Sequence, residues 1–178
     1  MRRERRLTAV AWGLFLAWAI HDAEELATMP GWVERARPRL DRQVPWVPVS
    51  VWERFSVSRT HSALAIGLMG CLGAAAAARG ARTGGQSPLF QASLMGFGLH
   101  AVPHLASAVL TRGYTPGVIT APTIVAPFSW WAWRQLRAAD VPVRPVSLAT
   151  LAVLPLSIVT AHAGAALLLR AHQCHNSA

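Results

Sequence analysis

His21-Asp22-Ala23-Glu24-Glu25 closes an apolar run that begins at Leu7, and its reading decides the fold. On a helix, His21, Glu24 and Glu25 stand at i, i+3 and i+4, which sets an imidazole and two carboxylates on one face. His100 and His104 repeat the i, i+4 spacing inside a later apolar run. Ionisable groups in membrane-spanning helices cost about 2.5–3.5 kcal/mol each at the bilayer centre, even on the lenient insertion scale. Such groups at paired helical spacing point to a His/Glu metal site inside an all-α, polytopic membrane helix bundle.

Composition agrees with that class. The chain has 178 residues, a length that suits one domain, and it is read as a single membrane domain over 1–178. It is 53% hydrophobic and 14% charged, with a mean hydropathy of +0.32. Eight tryptophans suit the aromatic belts of bilayer interfaces. The net charge of +9 comes from arginine alone, since there is no lysine. The arginines fall between apolar runs and form no continuous basic face, so the expected counter-charge is anionic lipid and not nucleic acid. Cys71 lies in an apolar run and Cys174 in the tail, which argues against a structural disulfide.

Hydropathy predicts about five transmembrane helices, at 8–27, 61–78, 89–110, 118–133 and 146–169. The basic start (Arg2, Arg3, Arg5, Arg6) and Ala17-Trp18-Ala19 look like a signal peptide. Four further spans follow, however, and cleavage there would detach the anchor of the His21 motif, so the segment is read as a first span. The long connection from Met29 to Thr60 is rich in Arg and Pro, and within it Val49 to Phe55 is amphipathic enough to lie along the interface. Gly67, Gly70 and Gly73 offer small residues at helical spacing for close helix approach.

Five alternating spans bring the polar residues to one side. The end of the first, the start of the second, and the ends of the third and fifth share a leaflet. That leaflet then holds His21, Glu24, Glu25, His61, His100, His104 and His162. Nine arginines flank the N-terminal side and eight the other, and the four ahead of the first span favour a cytoplasmic N-terminus. The cluster is then expected near the outer leaflet.

Imidazole with carboxylate suits zinc, iron or manganese. The candidate ligands are therefore His21, Glu24, Glu25, His61, His100, His104 and His162, for one or two divalent transition ions, iron or zinc foremost. Glu24 and Glu25 are also candidate catalytic bases. Pro103 frees the carbonyl of Leu99 beside the paired histidines. Asp22 points about 100° away from His21, at an interface or behind the ligands. His172, Cys174 and His175 are read as a solvated tail. No H-E-x-x-H box is present.

One resemblance joins these pieces. His21-Asp22-Ala23-Glu24-Glu25 on the first span, the His100/His104 pair, and Tyr114-Thr115-Pro116-Gly117 in that order resemble the bacterial membrane family named for its HxxEE motif. The resemblance covers roughly Trp12 to Thr120. It implies a compact multispan protein of the bacterial inner membrane and a metal-dependent enzyme. The expected substrate is an apolar or amphipathic small molecule, hydrolysed or oxidised with dioxygen, with a redox partner in the second case. The alternative is a proton- or metal-coupled transporter, for which five spans without an internal repeat are a poor scaffold.

Overall fold

The computed structural model describes residues 1–145 and 147–176. Among these it is all helical: α1 (Arg2–Thr28), α2 (Trp32–Gln43), α3 (Val49–Glu53), α4 (Arg59–Arg82), α5 (Pro88–Thr111), a π-helical stretch (Ala121–Val125), α6 (Ala126–Ala138) and α7 (Leu148–Asn176). The termini follow ordinary helix chemistry. Ser58 caps α4 by accepting from the His61 N–H, and Ser87 caps α5 by accepting from the Phe90 N–H, with Pro88 at the first helical position.

The five expected spans coincide with α1, α4, α5, the π-helical stretch plus α6, and α7. Among the described residues, three helical stretches are long and apolar enough to cross a membrane: Arg59–Arg82, Pro88–Thr111 and Thr150–His175. The other two differ in kind. Helix α1 carries charge at both ends of its apolar stretch, and the fourth region is divided by the π-helical stretch. Pro122 and Pro127 withhold N–H groups there, and widened turns of this kind relax the regular ladder. The outside of the bundle is apolar. Helix α7 exposes Leu151, Leu156, Val159, Leu167 and Leu168, and α5 exposes Val102, Val109 and Leu110, as a lipid-facing surface requires.

Helix α1 lies along α4 and also meets α6 and the π-helical stretch, while α7 packs on α4 and α5. The main core gathers Val10, Leu14, Phe90, Leu94, Val125 and Leu136. Small residues let α1 and α4 close: a β-carbon on Gly70 would stand 2.9 Å from the Trp18 ring, and Gly73 faces Phe15 and Trp18. Gly67, read with them as a packing stripe, has nothing within 4 Å of its would-be β-carbon.

The connection after α1 departs from the sequence reading. It holds α2 as well as the expected amphipathic segment, which is the short α3. Val33, Ala36 and Leu40 recur at helical spacing and are buried, and Ala36, Leu40 and Val44 form a small core with Trp32, Val47 and Trp52. Pro38 sits inside this helix, where burial of the apolar face outweighs the lost backbone bond. Helix α2 rests against α5. Cys71 and Cys174 are both free.

Candidate metal centre

Four side chains converge where the C-terminal end of α1 meets the second half of α5: His21, Glu25, His100 and His104. Their ligand atoms all lie within 4.8 Å of one another. His104 Nε2 is 3.0 Å from His100 Nε2 and 3.4 Å from Glu25 Oε1. His21 Nε2 is 3.9 Å from the same Glu25 oxygen. A tetrahedral ion bound at about 2.0–2.2 Å needs ligand atoms about 3.3–3.6 Å apart, so modest side-chain movements bring all four into range.

The chemistry of the donors also fits a cation. His21 is fully buried, and its Nε2 has no hydrogen-bond partner among the described residues. Buried polar atoms are nearly always paired, so an orphan facing two imidazoles and a carboxylate marks a place for positive charge. His104 places Nδ1 2.7 Å from the Pro116 carbonyl. A carbonyl only accepts, so Nδ1 carries the proton and Nε2 turns its lone pair toward His100 and Glu25.

The roof of the site is the segment between α5 and the π-helical stretch. The Val118 N–H donates to the Thr115 carbonyl at 3.1 Å and Gly117 has φ +80°, which, with Pro116 ahead of it, makes a type II turn. Any β-carbon on Gly117 would collide with both imidazoles that it covers. Helix α2 holds the turn from outside: the Trp32 indole N–H and an Arg39 guanidinium N–H donate to the Tyr114 carbonyl at 3.0 and 2.7 Å. Gly113 makes room for that guanidinium, because any β-carbon there would collide with Arg39.

The seven candidate ligands fall into three places. His21, Glu25, His100 and His104 come together. Glu24 turns to the roof instead, bonded to Tyr114, Ile119 and Thr120. His61 and His162 pair with each other across α4 and α7, Nε2 to Nδ1 at 2.9 Å with stacked rings, outside the four-residue group. Asp22 is buried at 8% exposure. Trp32, Arg39 and Thr120 carried no signal in the sequence, because their roles depend on contacts between distant segments.

Phe97 lies edge-on to His21 at 6.2 Å and also lines a small cavity of about 50 Å³ with Leu14, Trp18 and Leu154. A larger cavity of about 260 Å³ lies further along α5, bounded by Leu89, Met95, Trp133 and Arg144.

No curated protein and no solved structure matches the chain. A family model described as "Protein of unknown function with HXXEE motif" matches residues 12–132. That stretch is more than half of the 178 residues and contains all four converging side chains together with their roof. The chain therefore belongs to the HXXEE-motif family.

Proposed function

We propose that this protein is a metal-dependent integral membrane enzyme acting on an apolar or amphipathic small molecule. The observation that carries the reading is the convergence of three imidazoles and one carboxylate around an unpartnered, fully buried His21 Nε2. In this reading His21, His100 and His104 bind one divalent transition ion, iron or zinc, and Glu25 supplies the fourth ligand. A bound ion would supply Lewis-acid activation of water or, if it is iron fed by an external reductant, binding and reduction of dioxygen. Glu25 offers one oxygen to the group, and its second carboxylate oxygen is chemically able to accept a proton. Phe97 and the apolar space beyond it exclude water on the inner side and favour an apolar substrate.

All five helical regions span the bilayer in this reading, including α1 and the π-helical stretch with α6. The N-terminus is cytoplasmic, which sets the site near the outer leaflet and favours hydrolysis over a reductant-fed oxidation. Transport is less well supported, since the described residues hold one group able to bind a metal, at one end of the bundle.

The test is elemental analysis of the full-length protein purified in detergent and reconstituted with iron or zinc. About one tightly held ion per chain is expected, with His100→Ala and His104→Ala each losing it. A wild-type protein that retains no ion after reconstitution overturns the proposal.

A further inference from the structure

We infer that Glu24 and Thr120 are positioning residues that fix the tautomer of His21, and that Glu24 is not itself a ligand. The argument is a count of protons. Glu24 Oε1 accepts from the Tyr114 hydroxyl at 2.7 Å and the Ile119 N–H at 3.2 Å. Its Oε2 accepts from the Thr120 N–H at 2.8 Å and the Thr120 hydroxyl at 2.6 Å. A carboxylate offers about four lone-pair sites. All four are met by donors from one short segment, and none is left for an ion.

Thr120 has one hydroxyl proton, and the contact with Glu24 uses it. The Gly117 carbonyl, 3.4 Å from Thr120 Oγ1, is a much poorer acceptor. His21 Nδ1 lies 2.7 Å from the same Oγ1. With its proton committed, the hydroxyl oxygen accepts there, so His21 Nδ1 bears hydrogen and Nε2 is left bare toward the cluster. The opposite arrangement, with Thr120 donating to His21, would leave two oxygens 2.6 Å apart with no proton between them. Pro116 imposes the same tautomer on His104. The segment 114–120 thus sets two of the three imidazoles, and Glu24, the first glutamate of the motif, reaches His21 through the Thr120 hydroxyl.

The inference rests on the metal reading for its purpose, but its central claim can be read without metal. In full-length protein labelled with ¹⁵N-histidine and stripped by chelator, the nitrogen shifts of His21 should show hydrogen on Nδ1. Thr120→Val should mix the tautomers and weaken zinc affinity about 10–100-fold, the usual effect of losing a partner that orients a ligand. Thr120→Ser keeps the hydroxyl and should restore both. Hydrogen on Nε2 of His21 in the stripped wild type overturns the inference, whether or not the variants fold. So does a folded Thr120→Val protein with unchanged tautomer and zinc affinity. A protein that shows the Nδ1–H form yet binds no ion sinks the metal reading alone.

Discussion

Gly117 sits against His104 so closely that a β-carbon on it would stand 2.6 Å from imidazole Cε1 and Nδ1, and 2.8 Å from Cε1 of His21. The turn that covers the site therefore requires glycine twice, for its φ of +80° and for its clearance. Gly117→Val should lower the melting temperature in detergent and abolish zinc retention, because the side chain would displace the ring whose Nε2 faces the other ligands. Strain at the backbone alone amounts to about 1–3 kcal/mol. Wild-type melting with full zinc retention would refute this account of the roof.

Metal removal should be felt as lost stability. An ion that binds only the folded chain stabilises it by about 2.7 kcal/mol when present at a hundred times its dissociation constant. Chelator should lower the melting temperature of the wild type, and added zinc or iron should restore it. The His104→Ala protein should melt at one temperature in both conditions. Equal chelator sensitivity in the variant would place the ion elsewhere.

Tyr114 gives a direct optical probe, since it is the only tyrosine in the chain. Burial pushes its phenol above the ordinary value; a bond with Thr28 opposes that push, and the Glu24 carboxylate adds to it. A raised pKa favours the neutral form in the folded state. The associated stability is complete below the unfolded pKa of about 10 and is lost as pH rises through the folded value. Phenolate absorbance should therefore appear at higher pH in the folded protein than in denatured chain. In Glu24→Gln the midpoint should fall back toward the ordinary value, and a midpoint that does not move would remove Glu24 from the phenol's surroundings.

Orientation separates the two chemistries. Ser50 and Gln86 are exposed at opposite ends of the bundle, and neither has the positive φ that makes Gly84 a poor site for substitution. Ser50→Cys and Gln86→Cys, in a background with Cys71 and Cys174 replaced by alanine, can be tested with an impermeant thiol reagent on intact cells. Labelling at 50 and not at 86 is expected for a cytoplasmic N-terminus. The reverse pattern would place the site inside, within reach of cellular reductant.

Helical spacing carried most of the site but not its division of labour. His21, His100 and His104 were legible because i, i+4 pairs in apolar runs have few other uses, and alternation of spans brought them to one end. Glu24 and Glu25 were not separable by that logic. Both lie on the His21 face, and only the rotation of α1 against α5 decides which one meets His104. His61 and His162 lie at the same end, but radial position around a bundle has no one-dimensional trace, and they meet across α4 and α7 instead. Helix α2 was hidden by Pro38 and four arginines, although the Val33, Ala36 and Leu40 spacing was there to read. Thr120 had no signature at all, because a threonine acquires its role only from what folds against it.

The four converging side chains and their roof come from α1, α5 and the segment up to Thr120, whereas α7 lies wholly beyond the family match and brings none of them. Yet α7 supplies Val153, Leu154 and Ser157 to the apolar space behind Phe97. The group able to hold a metal ion and the wall that shapes its neighbourhood are thus separate parts of one chain. A substitution in α7 can therefore reshape that wall without touching any of the four converging side chains.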